Sequence, residues 1–258
     1  MTIRFSPRDM VGLTILAEMY GAPMDVVAEM LGVSLNRAYR ITAKWQAAQM
    51  ISSRRMRPVP GPSWIFPTKA AAEALLGRPV RYWVPTPKMA AHVIAVFRLR
   101  LALTGMDLDR WISERALRAQ VGMVAAGQAR PHIHDGRYLT SGGDLWAVEV
   151  ELTAKSIAAA RTAVRQARHV AQQADCAGLT YYCRGDAVKN VIREAAKGLD
   201  LSTGPKLRLM DLDEFLAAKQ AESASPAARP GLRVIAGGAA DHDTPRGTNR
   251  DNGKAVGS

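Results

Sequence analysis

From Leu145 to Thr153 the chain reads Leu-Trp-Ala-Val-Glu-Val-Glu-Leu-Thr, with Trp146, Val148, Val150 and Leu152 alternating against Ala147, Glu149 and Glu151. A period of two is that of a strand, so one face collects the aromatic and aliphatic side chains and the other collects the two carboxylates. The first face is apolar enough to enter a core. The second sets two acids one strand repeat apart, about 7 Å between Cα atoms, where they can share a divalent cation. A chain containing this segment is therefore expected to build a sheet with one packed face and one charged one.

Ile133–Leu139 also reads as a strand, and Thr140-Ser-Gly-Gly-Asp144 suits a hairpin link to the glutamate strand. Folded symmetrically about Gly142, the hairpin pairs Leu139 with Leu145 and sets Asp135 opposite Glu149, so that three carboxylates converge. A slip of one residue would turn Asp135 to the wrong face. Around the hairpin the pattern predicts a helix over Asp109–Gln120, a helix over Lys155–Ala174, a strand at Leu179–Cys183, a helix at Ala187–Gly198 and a strand at Leu207–Met210. That order implies an α/β (α+β) class with a mixed sheet flanked by helices. On the Lys155 helix, Ile157, Ala160, Val164, Ala167 and Ala171 form a packing stripe. Arg161, Arg165, Arg168 and His169 form a basic one beside it, either solvated or facing phosphate.

The net charge of +12 over 258 residues makes a polyanion, nucleic acid first, the leading partner class. Charge is also uneven: no acid occurs between Glu29 and Glu73, while Arg37, Arg40, Lys44, Arg54, Arg55, Arg57 and Lys69 are basic. Ser6-Pro7 opens a helix that Gly21 ends; Met24–Leu31 is a second, stopped by Gly32; Leu35–Met50 is a third. On the third, Ala38, Ile41, Thr42 and Trp45 share one face with Leu35, and Asn36, Arg37, Arg40 and Lys44 share the other. Two helices joined by a tight glycine turn match a helix-turn-helix, with Asn36 and Arg37 placed to read base edges of double-stranded DNA and the other basic residues to touch phosphates. Ile51–Arg57 and Ser63–Phe66 are predicted as strands bridged by Pro58-Val-Pro-Gly-Pro62, a wing carrying Arg54, Arg55 and Arg57.

Cys176 and Cys183 give neither a disulfide framework nor a zinc spacing, and no apolar run spans a bilayer, so a cytoplasmic location is expected. A helix over Lys88–Thr104 carries His92, which has no acid at helical spacing and is read as a packed histidine. The expected organisation is a winged helix-turn-helix over residues 1–78, a connector over 79–106, a sheet domain over 107–217 and a disordered tail over 218–258.

Asp135, then Glu149-Val150-Glu151, then Lys155, in an α-β-β-α-β context with Glu114 on the preceding helix, resembles the PD-(D/E)XK nuclease superfamily. Joined to a winged helix, the whole is similar to the replication-relaxation family of plasmids and other mobile elements, itself similar to one class of conjugative relaxases; the likeness covers roughly Phe5 to Phe215. The resemblance implies a DNA nickase or endonuclease acting at a plasmid origin or transfer origin. It implies Asp135 and Glu149 as ligands of Mg²⁺ or Mn²⁺, Glu114 as an additional metal residue or a supporting residue behind the ligands, Glu151 as the group that orients or deprotonates water, and Lys155 as a transition-state cation. Glu151 stands where the family usually has lysine, and His134 where it has proline. A homodimer on DNA half-sites is the assembly such domains often adopt.

Two other readings of the residues stand beside this one. His132-Ile-His134 spells the His-hydrophobe-His pattern of a different relaxase class, whose nucleophile here would be Tyr138, Tyr181 or Tyr182. In a strand, both histidines would lie on the face opposite Asp135. In the other reading, the winged helix acts alone as a non-catalytic regulator of transcription or replication, and the nuclease fold is degenerate.

Overall fold

A computed structural model of the protein describes residues 3–122, 127–128 and 131–224. Ser6 Oγ accepts from Asp9 N at 3.2 Å while the Asp9 carboxylate accepts from Ser6 N at 2.8 Å, a reciprocal cap that starts α1 (Pro7–Glu18). At Gly21 a Cβ would lie 2.4 Å from the Ile65 carbonyl oxygen, so only glycine lets the chain enter β1 (Ala22–Pro23) there. Then follow α2 (Met24–Leu31) and α3 (Leu35–Ala47), the latter ending before the predicted Met50. α3 buries Ala38, Thr42 and Trp45.

The two predicted strands after α3 shrink to β2 (Trp64–Ile65) and the isolated antiparallel bridges Met56↔Trp64 and Ile51↔Pro67. Pro58, Pro60 and Pro62 offer no N–H to extend a ladder. β2 pairs antiparallel with β1, Ala22↔Ile65 and Pro23↔Trp64. Next comes α4 (Lys69–Leu76), which the sequence reading did not include; the Thr68 hydroxyl caps it, accepting from Ala71 N at 3.1 Å.

α5 (Pro87–Thr104) forms nearly where predicted. The predicted Asp109–Gln120 helix divides into β3 (Trp111–Ser113) and α6 (Glu114–Val121), with the Ser113 hydroxyl capping α6. The chain continues through β4 (Gly136–Leu139), β5 (Leu145–Glu151), α7 (Ile157–Gln173), β6 (Gly178–Cys183), α8 (Gly185–Ala196), β7 (Lys206–Asp211) and α9 (Leu212–Ala224). The sheet order is β3-β4-β5-β6-β7, with the first two pairings antiparallel and the last two parallel. Leu139 pairs with Leu145, the register expected of a hairpin centred on Gly142.

On one face Trp146, Val148 and Val150 pack with Trp111, Tyr138 and Tyr182 against Val96, Phe97 and Leu99 of α5. The same cluster runs on without a break into Leu13, Leu16, Val27, Leu31 and Trp45 of the N-terminal helices. The stretch expected as a connector is thus a central helix with a core on both sides, each fully buried Leu, Val or Phe contributing about 1.5–3 kcal/mol. Arg100 of α5, fully buried, faces Glu18 of α1 at 3.4 Å, and burial pushes the Glu18 carboxyl up to about 7 against the opposing guanidinium.

On the other face Ala147, Leu179, Tyr181 and Cys183 pack against Ala160, Val164, Ala167 and Ala171 of α7 and Val188 and Ile192 of α8. Gly178 has no side chain because the Trp146 ring lies where its Cβ would be, 2.3 Å away. Both cysteines are buried and unpaired. The expected tail begins as helix, since α9 reaches Ala224; the rest of it, residues 225–258, lies outside the described residues. Among the described residues, no helix is long and apolar enough to cross a membrane.

Candidate functional site

Strand alternation delivers Glu149 and Glu151 to the α7 side of β5, where they are only 7% and 8% exposed. The chain then turns into α7, capped by the Ser156 hydroxyl accepting from Ala159 N at 3.3 Å. Lys155 therefore sits just ahead of the helix rather than in its first turn, and its ammonium donates to Glu151 Oε1. Glu151 and Lys155 are thus each other's partner.

A bend at Asp135 delays the start of β4 to Gly136, so the predicted Ile133–Leu139 strand forms only over its last four residues, although Asp135 N still donates to the Val148 carbonyl at 3.1 Å. The bend redistributes the side chains. Asp135 turns along the strand end: its Oδ2 accepts from Val150 N at 2.8 Å, and its Oδ1 lies 2.9 Å from His92 Nε2 of α5. The histidines take the side of Glu149, with His132 Nε2 2.7 Å from Glu149 Oε1. His134 Nε2 donates to the Ala167 carbonyl of α7 at 2.9 Å, and its Nδ1 accepts from Arg137 Nε at 3.3 Å.

The electrostatics follow from burial of like charges. Burial drives the Glu149 carboxyl well above the ordinary carboxylate range; the His132 bond opposes the shift, and the neighbouring Asp135 and Glu151 charges add to it. For His132 and His92, burial pulls the imidazole down. The hydrogen bond and charge of Glu149 in one case and Asp135 in the other outweigh it, and both end above their usual value. His134 has no carboxylate to offset burial and falls to about 4, so it is neutral at pH 7. Tyr181 stands on β6 beside Glu149 in register, and its buried hydroxyl has no hydrogen-bond partner among the described residues. Burial and the Glu149, Glu151 and Asp135 charges hold that phenol protonated.

Glu114 lines one narrow pocket with Asp135 and His92, but its carboxylate accepts from Arg118 Nε at 2.9 Å. Among the described residues, the set of three with ligand atoms all within 4.8 Å of one another is His132, His134 and Glu149. Asp135 and Glu114, expected as metal ligands, stand outside that set. Imidazole nitrogen beside a buried carboxylate is a donor set that fits a divalent ion. Sequence reasoning missed His92 and His132 as carboxylate partners. The signal in the chain, a histidine three residues before Asp135, was legible only as a different motif.

Of the expected DNA-contacting residues, Asn36, Arg37 and Arg40 lie exposed on α3 beside exposed Leu35 and Tyr39. Lys44 turns away from them to pair with Asp9 at 2.6 Å, which with Ser6 and Trp45 overcomes burial and holds the Asp9 carboxyl at about 2. Arg54, Arg55 and Arg57 are exposed between Ile51 and Trp64, with Arg57 Nε 3.5 Å from Ser63 Oγ. Arg161 and Arg165 are exposed on α7, whereas Arg168 is anchored on the Thr203 carbonyl.

Comparison of the chain with protein-family models, with curated proteins and with solved structures gives no match in any of the three.

Proposed function

We propose that this protein binds double-stranded DNA through its N-terminal helices and nicks it in a divalent-metal-dependent reaction at the Asp135–Glu149 end of the sheet. The observation that carries the reading is the burial of Glu149 and Glu151 on one sheet face, with Asp135 close enough to raise the Glu149 carboxyl further. Buried carboxylates gathered at one strand end are costly, and a carboxyl perturbed by burial and like charge in such a cluster is a candidate for a functional site. The strand and helix order around them, and the likeness of Asp135, Glu149, Glu151 and Lys155 to a nuclease motif, support phosphodiester chemistry. That likeness is also what supports a plasmid replication or transfer origin as the target.

At the N-terminus, α1, β1, α2, α3 and β2 with its two bridges support a winged helix-turn-helix, with Asn36, Arg37 and Arg40 facing the major groove and Arg54, Arg55 and Arg57 beside the duplex backbone. A bound divalent ion supplies charge stabilisation at the phosphate and a more acidic water. Glu149 and His132 would hold that ion. Asp135, fixed by the Val150 N–H, stands beside them and orients His92. Glu151 would take the proton of the water whose oxygen bonds to phosphorus as one ester P–O bond breaks; Lys155, already on Glu151, would pass to the phosphate as the substrate enters, and the departing alkoxide would take its proton from solvent.

The reading is tested by nicking of supercoiled plasmid carrying the cognate origin, with and without divalent ion, comparing wild type with Asp135→Ala and Glu149→Ala. Both variants are expected to bind DNA and to leave it supercoiled. Equal nicking by all three proteins would remove the nuclease assignment. The pairing of each acid with a residue of the chain itself, Lys155, His132 or His92, favours one second reading, a DNA-binding regulator with a silent site. In that case wild type would bind and protect the DNA and produce no nicks.

A further inference from the structure

We infer that the site on the α7 side of the sheet is built for a first-row transition divalent ion rather than Mg²⁺, with the His132 imidazole as a nitrogen ligand beside the Glu149 carboxylate. This rests on the metal-dependent reading above. Glu151 is engaged by Lys155, and both oxygens of Asp135 are engaged, one by Val150 N and one by His92. Glu114 is engaged by Arg118. Glu149 has His132 as its one hydrogen-bonding side chain among the described residues, and this pair and His134 form the close donor set.

His134 lies within that set but has no free nitrogen, since one bonds the Ala167 carbonyl and the other accepts from Arg137. Its ring meets the His132 ring edge-on, with centroids 5.4 Å apart, which makes it a positioning residue for the imidazole that faces Glu149. The His132–Glu149 contact of 2.7 Å is close to the spacing of two cis ligands on one ion, roughly 3 Å for bonds of about 2.1 Å. A proton now holds these atoms together, and an ion can replace it with little rearrangement.

A second, independent feature points the same way. Tyr181 is wholly buried, stands beside Glu149 in register on the same face, and keeps a hydroxyl with no partner among the described residues. An orphan O–H next to an acid cluster is costly unless something fills the space, and a water or phosphate oxygen carried by an ion would satisfy it. Mg²⁺ is a poor occupant of such a place, because it takes oxygen donors in a strict octahedron and keeps several waters. Imidazole nitrogen suits the transition ions.

The test uses the full chain and measures Mg²⁺ and Mn²⁺ binding by calorimetry. Pulsed electron paramagnetic resonance on the Mn²⁺-loaded protein then reads ¹⁴N coupling from a coordinated imidazole. Wild type is expected to bind Mn²⁺ at least about 10-fold more tightly than Mg²⁺ and to show the coupling. His132→Ala should lose the coupling and about 10-fold or more in Mn²⁺ affinity, with Mg²⁺ affinity changed by less than about 3-fold. His134→Gln, which leaves the ligand in place, should weaken Mn²⁺ but retain the coupling. It keeps the test decisive if His132→Ala fails to fold: coupling absent from both wild type and His134→Gln would overturn the inference. Comparable Mg²⁺ and Mn²⁺ binding without ¹⁴N coupling overturns the nitrogen ligand and leaves the metal-dependent reading intact. Failure of wild type to bind either ion removes both.

Discussion

Asp135 does two jobs that a single-atom change separates. One oxygen accepts from the Val150 N–H at 2.8 Å, and the other carries charge to His92 at 2.9 Å. Asparagine retains an acceptor for Val150 and offers its amide N–H to His92 Nε2, so both contacts survive as neutral hydrogen bonds. The difference between a charge-assisted and a neutral bond is about 1 kcal/mol, which for a folded unit of this size lowers Tm by about 2–4 °C. Alanine goes further and orphans a half-buried N–H. That adds about 1–3 kcal/mol, for a total Tm loss of about 5–15 °C. If the protein nicks DNA as proposed, the two variants should converge in nicking assays, each losing about 100-fold or more, because that chemistry would need the charge and not the hydrogen bond. Calorimetric melting alongside plasmid nicking makes the comparison. Asp135→Asn nicking at the wild-type rate would show that the charge has no part in the chemistry, and Asp135→Ala melting with wild type would show that the Val150 bond is dispensable.

His134 is held neutral, with its proton affinity reduced to about 4, while an unfolded histidine titrates near 6.5; the unfolded chain therefore gains a proton first, and stability drains away as pH falls from 6.5 towards 4, by roughly 3 kcal/mol. Denaturant titration of wild type and His134→Gln at pH 7 and pH 5 should show their gap narrowing at the lower pH, and a constant gap would contradict the assignment. Arg37→Ala and Arg40→Ala should each lower the dependence of log Kd on log salt by about one, measured by fluorescence anisotropy on duplex DNA. An unchanged slope would mean that α3 does not meet phosphate. Gly178→Ala puts a methyl group 2.3 Å from the Trp146 ring and should destabilise by about 1–3 kcal/mol in chemical denaturation, with wild-type stability counting against that packing.

The most legible parts of the sequence were those governed by nearby residues. The alternation of Leu145–Glu151 and the Gly142-Gly143 link gave the central strand, its buried face and the Leu139↔Leu145 register. The Ser6-Pro7 start and the Gly32 stop located α1 and the end of α2. β3 escaped notice because three residues, Trp111–Ser113, are too few to show a period and lead directly into a helix. α9 escaped because its small and charged residues hide the packing of Leu212 and Phe215. The histidine contacts were beyond local pattern altogether. His92 meets an acid 43 residues away and His132 one 17 residues away, and both depend on the bend at Asp135, which no spacing rule encodes. Lys44 was misplaced for the same reason, since the acid that captures it lies 35 residues upstream.

The unbroken core running through α5 has a practical consequence for anyone who handles this protein in pieces. A fragment ending at residue 78 would strip Val96, Phe97 and Leu99 from Leu13, Leu16 and Leu31 and leave Glu18 without Arg100. Such a fragment would be an exposed half-core, and the intact chain should melt in one step. Rigidity of this kind also acts as a ruler. If α3 reads the duplex and the carboxylates cut it, the break must fall a fixed number of base pairs from the sequence read, and inserting bases between them would abolish cutting without loosening the grip on DNA.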